Sequence, residues 1–215
     1  MKLFFVMITS MLSMMSSLSA TENENVTPDQ ALQRLREGND RFVANALENC
    51  DKTEAKRLKT QDVQRPFAII LGCSDSRVPP EVVFDQHIGD LFVIRVAGNV
   101  AGALERESIE YSVKVNNSSL IVVLGHENCG AISAILSGNV RDINAIATII
   151  TPSIDKLKKQ LNHAPTLAAA VKANVLGTLR QLQFSPVIAS AIEKKQLKMV
   201  GGYYSFETGK VEFLE

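Results

Sequence analysis

Phe67-Ala68-Ile69-Ile70-Leu71-Gly72-Cys73-Ser74-Asp75-Ser76-Arg77, and later Leu120-Ile121-Val122-Val123-Leu124-Gly125-His126-Glu127-Asn128-Cys129-Gly130, each join an apolar run to a chemically loaded turn. The runs are short, β-compatible and without polar alternation, the pattern of strands buried on both faces. A helical pattern follows each turn: Val78-Pro79-Pro80-Glu81 opens one through about Phe84, and another begins near Cys129. Between them lies a second unit, a strand over Leu91 to Val96, then Gly98-Asn99, then a helix from Ala103 to Val115. Strands that alternate with helices predict a mainly parallel sheet flanked by helices, with ligands beyond the carboxyl ends of the strands. Such a sheet brings Cys73 and His126 to one edge.

Their chemistry is that of a zinc site. Cys73, His126 and Cys129 supply two thiolates and an imidazole, and three protein ligands leave a coordination place for water, which favours catalysis over scaffolding. Zinc lowers the pKa of such a water to about 7, although two thiolates weaken that effect by adding negative charge. Asp75 and Arg77 compensate: Arg77 keeps Asp75 ionised and aimed, and a free carboxylate oxygen accepts the proton of the zinc-bound hydroxide, orienting it. An ordinary loop salt bridge is the plainer account of that pair. A Cys73–Cys129 disulfide is the plainer account of the sulfurs, but it leaves His126 without a part.

The remaining chain frames this centre. Thr27-Pro28-Asp29-Gln30 is a capping-box start with proline at the first helical position, and Ala31, Leu32, Leu35, Phe42 and Val43 recur at helical spacing. Gly38 is expected to divide that stretch into two helices. A charged segment, Asp51 to Lys59, forms a third whose apolar side is too thin for its own core, so the amino-terminal arm is expected to pack on a partner subunit. Several helices run from Ile143 to Lys195, and Lys198 to Tyr204 with Lys210 to Phe213 close the chain as strands joined by Glu207-Thr208-Gly209.

Residues 1–20 combine Lys2, an apolar stretch from Leu3 to Leu12, a serine-rich region and Ser19-Ala20, the pattern of a signal peptide. The chain is therefore expected to be periplasmic or secreted, without stable membrane insertion after cleavage, and residues 21–215 to form one domain. Among 215 residues the formal net charge is zero and 46% are hydrophobic. That balance fits a small dissolved substrate and gives no footprint for nucleic acid. Cys50, His87 and His163 are isolated and receive no role.

The two loaded turns, with Gly89-Asp90-Leu91-Phe92-Val93-Ile94-Arg95, Ala97-Gly98-Asn99 and Ser108-Ile109-Glu110-Tyr111, make nearly all of residues 21–215 resemble the β-class carbonic anhydrases. The resemblance implies reversible hydration of carbon dioxide to bicarbonate and a proton. One zinc per chain would sit on Cys73, His126 and Cys129, with Asp75 and Arg77 as the catalytic dyad. It also implies a homodimer or dimer of dimers with active sites at the interface. There Gln64 would donate an amide hydrogen to substrate, Phe92 and Tyr111 would form an aromatic wall, and Ala97 and Gly130 would line the pocket. One branch of the family closes by moving Asp onto zinc, helped by a tryptophan three residues before the first cysteine. Ile70 stands at that position here, so the resting site is expected to be open, with Asp75 on Arg77. Hydrolysis of carbon disulfide or carbonyl sulfide on the same scaffold is the alternative. A cysteine-nucleophile phosphatase or sulfur transferase leaves His126 and Cys129 unexplained, and a non-catalytic zinc module needs a fourth ligand, for which Asp75 would serve.

Overall fold

The computed structural model describes residues 26–49 and 53–214, so the signal-like segment and Cys50 lie outside it. Five strands, β1 (Ala68–Gly72), β2 (Leu91–Arg95), β3 (Leu120–His126), β4 (Lys198–Tyr204) and β5 (Val211–Leu214), form one sheet in the order β2-β1-β3-β4-β5. The first four are parallel and β5 returns antiparallel along β4. β1 pairs with both β2 and β3, so the chain leaves β1 toward one side and comes back on the other. The carboxyl ends of β1 and β3 therefore flank a topological switch point, the place where such sheets open a crevice.

Eight helices accompany the strands among the described residues: α1 (Pro28–Val43), α2 (Thr53–Lys59), α3 (Pro80–Val83), α4 (Ala103–Val115), α5 (Gly130–Leu136), α6 (Asn144–Leu161), α7 (Leu167–Leu182) and α8 (Pro186–Glu193). Alternation along the strands divides the core between them. Ala68, Ile70, Leu120, Val122 and Leu124 face Ala31, Leu32 and Leu35 of α1 together with Phe84. Ile69, Leu71, Ile121 and Val123 face Ile109 of α4, Val175 and Leu182 of α7 and Ile188 of α8. Each large aliphatic side chain so buried contributes roughly 1.5–3 kcal/mol through removal of apolar surface from water. Both faces of β1 and β3 are covered, which is why their sequences show no polar alternation.

One expectation is corrected at the amino terminus. α1 runs unbroken through Gly38, and its capping box is formed, with Gln30 N donating to Thr27 Oγ1 at 3.3 Å and Thr27 N to Gln30 Oε1 at 2.9 Å. Gly38 serves contact instead of termination: a Cβ there would lie 1.8 Å from the Phe84 carbonyl oxygen, so only glycine lets α1 lie this close to the end of α3. α1 thus belongs to this chain's own core. Within the amino-terminal region it is α2, with Leu58 half exposed, that answers to an arm lacking a core of its own.

Candidate active site

Parallel register sets the site. Gly72 lies opposite Leu124, so Cys73, one residue beyond β1, is carried beside the last residues of β3. His126 ends β3, and Cys129 caps α5 three residues on. The ligand atoms of Cys73, His126 and Cys129 all lie within 4.8 Å of one another, and all three residues are buried. His126 Nδ1 is 2.8 Å from the Glu127 carbonyl oxygen. A carbonyl only accepts, so Nδ1 carries the hydrogen and the lone pair is left on Nε2. Nε2 is buried and has no hydrogen-bond partner among the described residues.

The sulfurs compete for charge. A hydrogen bond from the Cys129 thiol, opposed by burial and helped by the Gly98 amide, pulls Cys73 well below the ordinary thiol value. The same hydrogen bond, together with burial, pushes Cys129 up. Two thiolates this close and this dry repel, and a divalent cation is what would let both ionise. Two soft sulfurs and a free imidazole lone pair fit zinc, because they are its preferred donors and the unpartnered Nε2 points to a missing acceptor of that lone pair.

Beside the cluster, Asp75 is gripped by Arg77. Arg77 N and Nε donate to Asp75 Oδ1 at 3.0 and 2.9 Å, and Nη2 donates to Oδ2 at 2.7 Å. The Arg77 side chain thereby holds the Asp75 carboxyl well below the usual carboxylate range, against a smaller opposing effect of burial. Oδ2 lies 3.9 Å from His126 Nε2, so the carboxylate looks toward the ligand atoms. Asp75 is thus paired with Arg77. The pairing occupies Arg77, which a phosphate-cradling cysteine loop would need free.

Three further residues brace this geometry and went unassigned in the sequence. Arg95, the charged end of β2, donates through Nε to the Cys73 carbonyl at 2.9 Å and through Nη2 to the Asp75 carbonyl. Glu127 Oε2 accepts from Phe206 N at 2.8 Å and Ser205 Oγ at 3.2 Å, pinning the turn after β4. That turn places the Phe206 ring 4.2 Å under the Arg77 guanidinium carbon, a cation–π contact that steadies the dyad from below. The lone arginine closing an apolar strand was a usable signal for Arg95. Nothing local marks Phe206.

A carbonic anhydrase family model matches residues 68–211, from the start of β1 to the start of β5. The chain is 44% identical over 201 residues to carbonic anhydrase 2 of Mycobacterium tuberculosis, covering 86% of this chain and 92% of that one. It is 39% identical over 199 residues to the carbonic anhydrase of Mycolicibacterium smegmatis, covering 87% and 94%. The solved structure of the β-carbonic anhydrase CcaA superposes with a TM-score of 0.69 at 28% identity, over 85% of this chain and 86% of that one. The chain belongs to the β-class carbonic anhydrases.

Within this carbonic anhydrase the pocket positions divide into two groups. Ala97 and Gly130 lie at the cluster: Ala97 opens the short turn Ala97–Asn99, whose Gly98 amide donates to Cys73 Sγ at 3.4 Å, and Gly130 is the exposed first residue of α5. Gln64, Phe92 and Tyr111 do not join them in one chain. Gln64 is exposed just before the amino end of β1, separated from Cys73 by a strand about 15 Å long. Phe92 sits opposite Ile69 in the amino half of β2, and its ring centroid is 6.4 Å from that of the half-exposed Tyr111.

Proposed function

We propose that this carbonic anhydrase hydrates carbon dioxide reversibly to bicarbonate and a proton at one zinc per chain held by Cys73, His126 and Cys129, with Asp75 and Arg77 as the catalytic dyad. The observation that carries this is the buried Cys/His/Cys cluster with an unpartnered His126 Nε2 and an ionised carboxylate oxygen 3.9 Å away. Bound zinc supplies Lewis acidity, which makes a nucleophile from water near neutral pH. The chain's own residues aim it. Asp75 Oδ1 accepts two hydrogens from Arg77 and Oδ2 one, leaving an Oδ2 lone pair free on the cluster side. Held ionised, that oxygen accepts the nucleophile's hydrogen and turns the nucleophile's own lone pair toward the substrate. Arg95 fixes the loop that carries both Cys73 and Asp75, so ligand and dyad move as one piece.

The rest of the pocket is proposed to come from a partner in a homodimer or dimer of dimers. β2 is an edge strand with no fully buried residue, and Leu104, Tyr111 and Val115 make an exposed apolar stripe along α4 at helical spacing. Packing a second copy there would cover that stripe and carry Gln64, Phe92 and Tyr111 toward the partner's cluster. Carbon dioxide has no net dipole, so an aromatic wall with one amide donor suits it. The proposal extends to export through residues 1–20, which places the enzyme in the periplasm or outside the cell. No helix among the described residues is long and apolar enough to cross a membrane.

Stopped-flow hydration of carbon dioxide, run beside hydrolysis of carbonyl sulfide and carbon disulfide, tests the assignment. Carbon dioxide is expected to be the preferred substrate, and Cys73→Ser to abolish its turnover. Faster turnover of either sulfur compound would transfer the site to that chemistry.

A further inference from the structure

The turn Ala97–Asn99 is closed by a single bond of its own, Asn99 N donating to the Val96 carbonyl at 2.9 Å, and is otherwise held from outside. Gly98 has φ 71° and ψ 16°, and Asn99 follows with φ 45°, two successive left-handed residues outside any strand. Such backbone persists only where its surroundings fix it. Two buried hydrogen bonds do so. The Gly98 amide donates to Cys73 Sγ at 3.4 Å, and the Gly98 carbonyl accepts from Asn174 Nδ2 at 2.8 Å. Asn174 belongs to α7 and is 2% exposed, a polar side chain flanked by the buried Val171 and Val175. α6 closes the other side: a Cβ on Gly98 would lie 2.7 Å from Ile150 Cδ1.

Taking Cys73 as a zinc ligand, as proposed above, we infer that Asn174 is a positioning residue for the metal-binding sulfur, because its hold on the Gly98 carbonyl aims the Gly98 amide at Cys73 Sγ. Amide and carbonyl belong to one residue, so fixing the carbonyl with φ and ψ set also fixes the amide. The chemical effect is on donor strength. A hydrogen bond to a thiolate withdraws electron density from sulfur, which weakens its donation and leaves a bound cation the stronger Lewis acid. In a site with two thiolates, that offsets part of the charge they add.

The full-length protein loaded with cobalt(II) gives a readout that stability alone does not move, the sulfur-to-cobalt charge-transfer band. Asn174→Leu and Asn174→Ala are expected to shift that band to longer wavelength, since a sulfur freed from its amide donor gives up an electron more easily. In the zinc form the same variants are expected to lower kcat roughly tenfold. Val175→Ala truncates the neighbouring buried residue of α7; it is expected to lower Tm and leave the band in place. Should Asn174→Leu fail to fold, Asn174→Ala carries the test. Folded Asn174 variants with the wild-type band, or an equal shift in Val175→Ala, would overturn the inference. A wild-type protein that takes up neither cobalt nor zinc would overturn the zinc reading, and this inference with it.

Discussion

Replacing Asp75 by Asn changes one oxygen to an NH₂ group and removes one charge, and the geometry decides which atom goes where. Oδ1 receives hydrogens from both Arg77 N and Nε, whereas Oδ2 receives one from Nη2. An amide placed with nitrogen at the Oδ1 position would set donors against two donors, so the nitrogen takes the Oδ2 position. That is the atom 3.9 Å from His126 Nε2, the one proposed to accept the nucleophile's hydrogen. The variant therefore presents a donor where an acceptor is needed. A positioned proton acceptor is worth about 10²–10⁴ in rate, so Asp75→Asn is expected to lower kcat/KM for carbon dioxide hydration by about 100-fold or more. Zinc content should stay at the wild-type level, because Asp75 is not among the three proposed ligands. Stopped-flow kinetics with metal analysis on the same preparation reads both quantities. Wild-type kcat/KM would refute the acceptor role, and parallel loss of zinc would place Asp75 among the ligands.

Mixing Cys73→Ser with Gln64→Ala subunits is expected to restore part of the activity, since one site of each heterodimer would combine intact ligands with an intact partner glutamine; no recovery despite proven subunit exchange would count against a shared site. Gly38→Ala gains up to about 1 kcal/mol of helix propensity but sets a Cβ 1.8 Å from the Phe84 carbonyl oxygen. Overpacking of about 1–3 kcal/mol against backbone should win, so Tm falls, and a rise would contradict the close-approach argument. Burial alone would raise the Asp85 carboxyl, but Arg41 and the amides of Glu48 and Asn49 overcome it and hold it below its ordinary value. A lowered folded-state value means stabilisation that is present above about pH 4 and lost as pH falls through that folded value. Asp85→Asn should thus unfold more easily in urea by about 2 kcal/mol at pH 7, with the gap to wild type narrowing in acid; a gap that does not narrow would show that the charge plays no part.

Local pattern carried most of the fold. The apolar runs of β1 and β3 and the helix from Ala103 to Val115 were legible because burial on both faces, or on one stripe, writes a period into the sequence. Between Ile143 and Lys195 only a set of helices was legible, not its divisions. Pro152 lies inside α6, while α7 and α8 start at the caps Thr166 and Ser185. Gly38 departs from the expected break because a helix interior tolerates glycine when another backbone must approach, and the approaching Phe84 is invisible locally. At the site, Cys73, His126, Cys129, Asp75 and Arg77 were legible because ligand type and short spacing mark them. Arg95, Phe206 and Asn174 act through contacts made only after folding. Gln64 stood out solely by its distance from Cys73 in the family pattern, and in one chain it lies at the other end of β1.

Zinc and turnover measured on one preparation test the central claim most directly. Purified wild-type protein should carry about one zinc per chain and hydrate carbon dioxide, and Cys73→Ser should lose both properties together, since a neutral hydroxyl is a poor substitute for a thiolate. Full carbon dioxide hydration by metal-free wild-type protein would contradict the account.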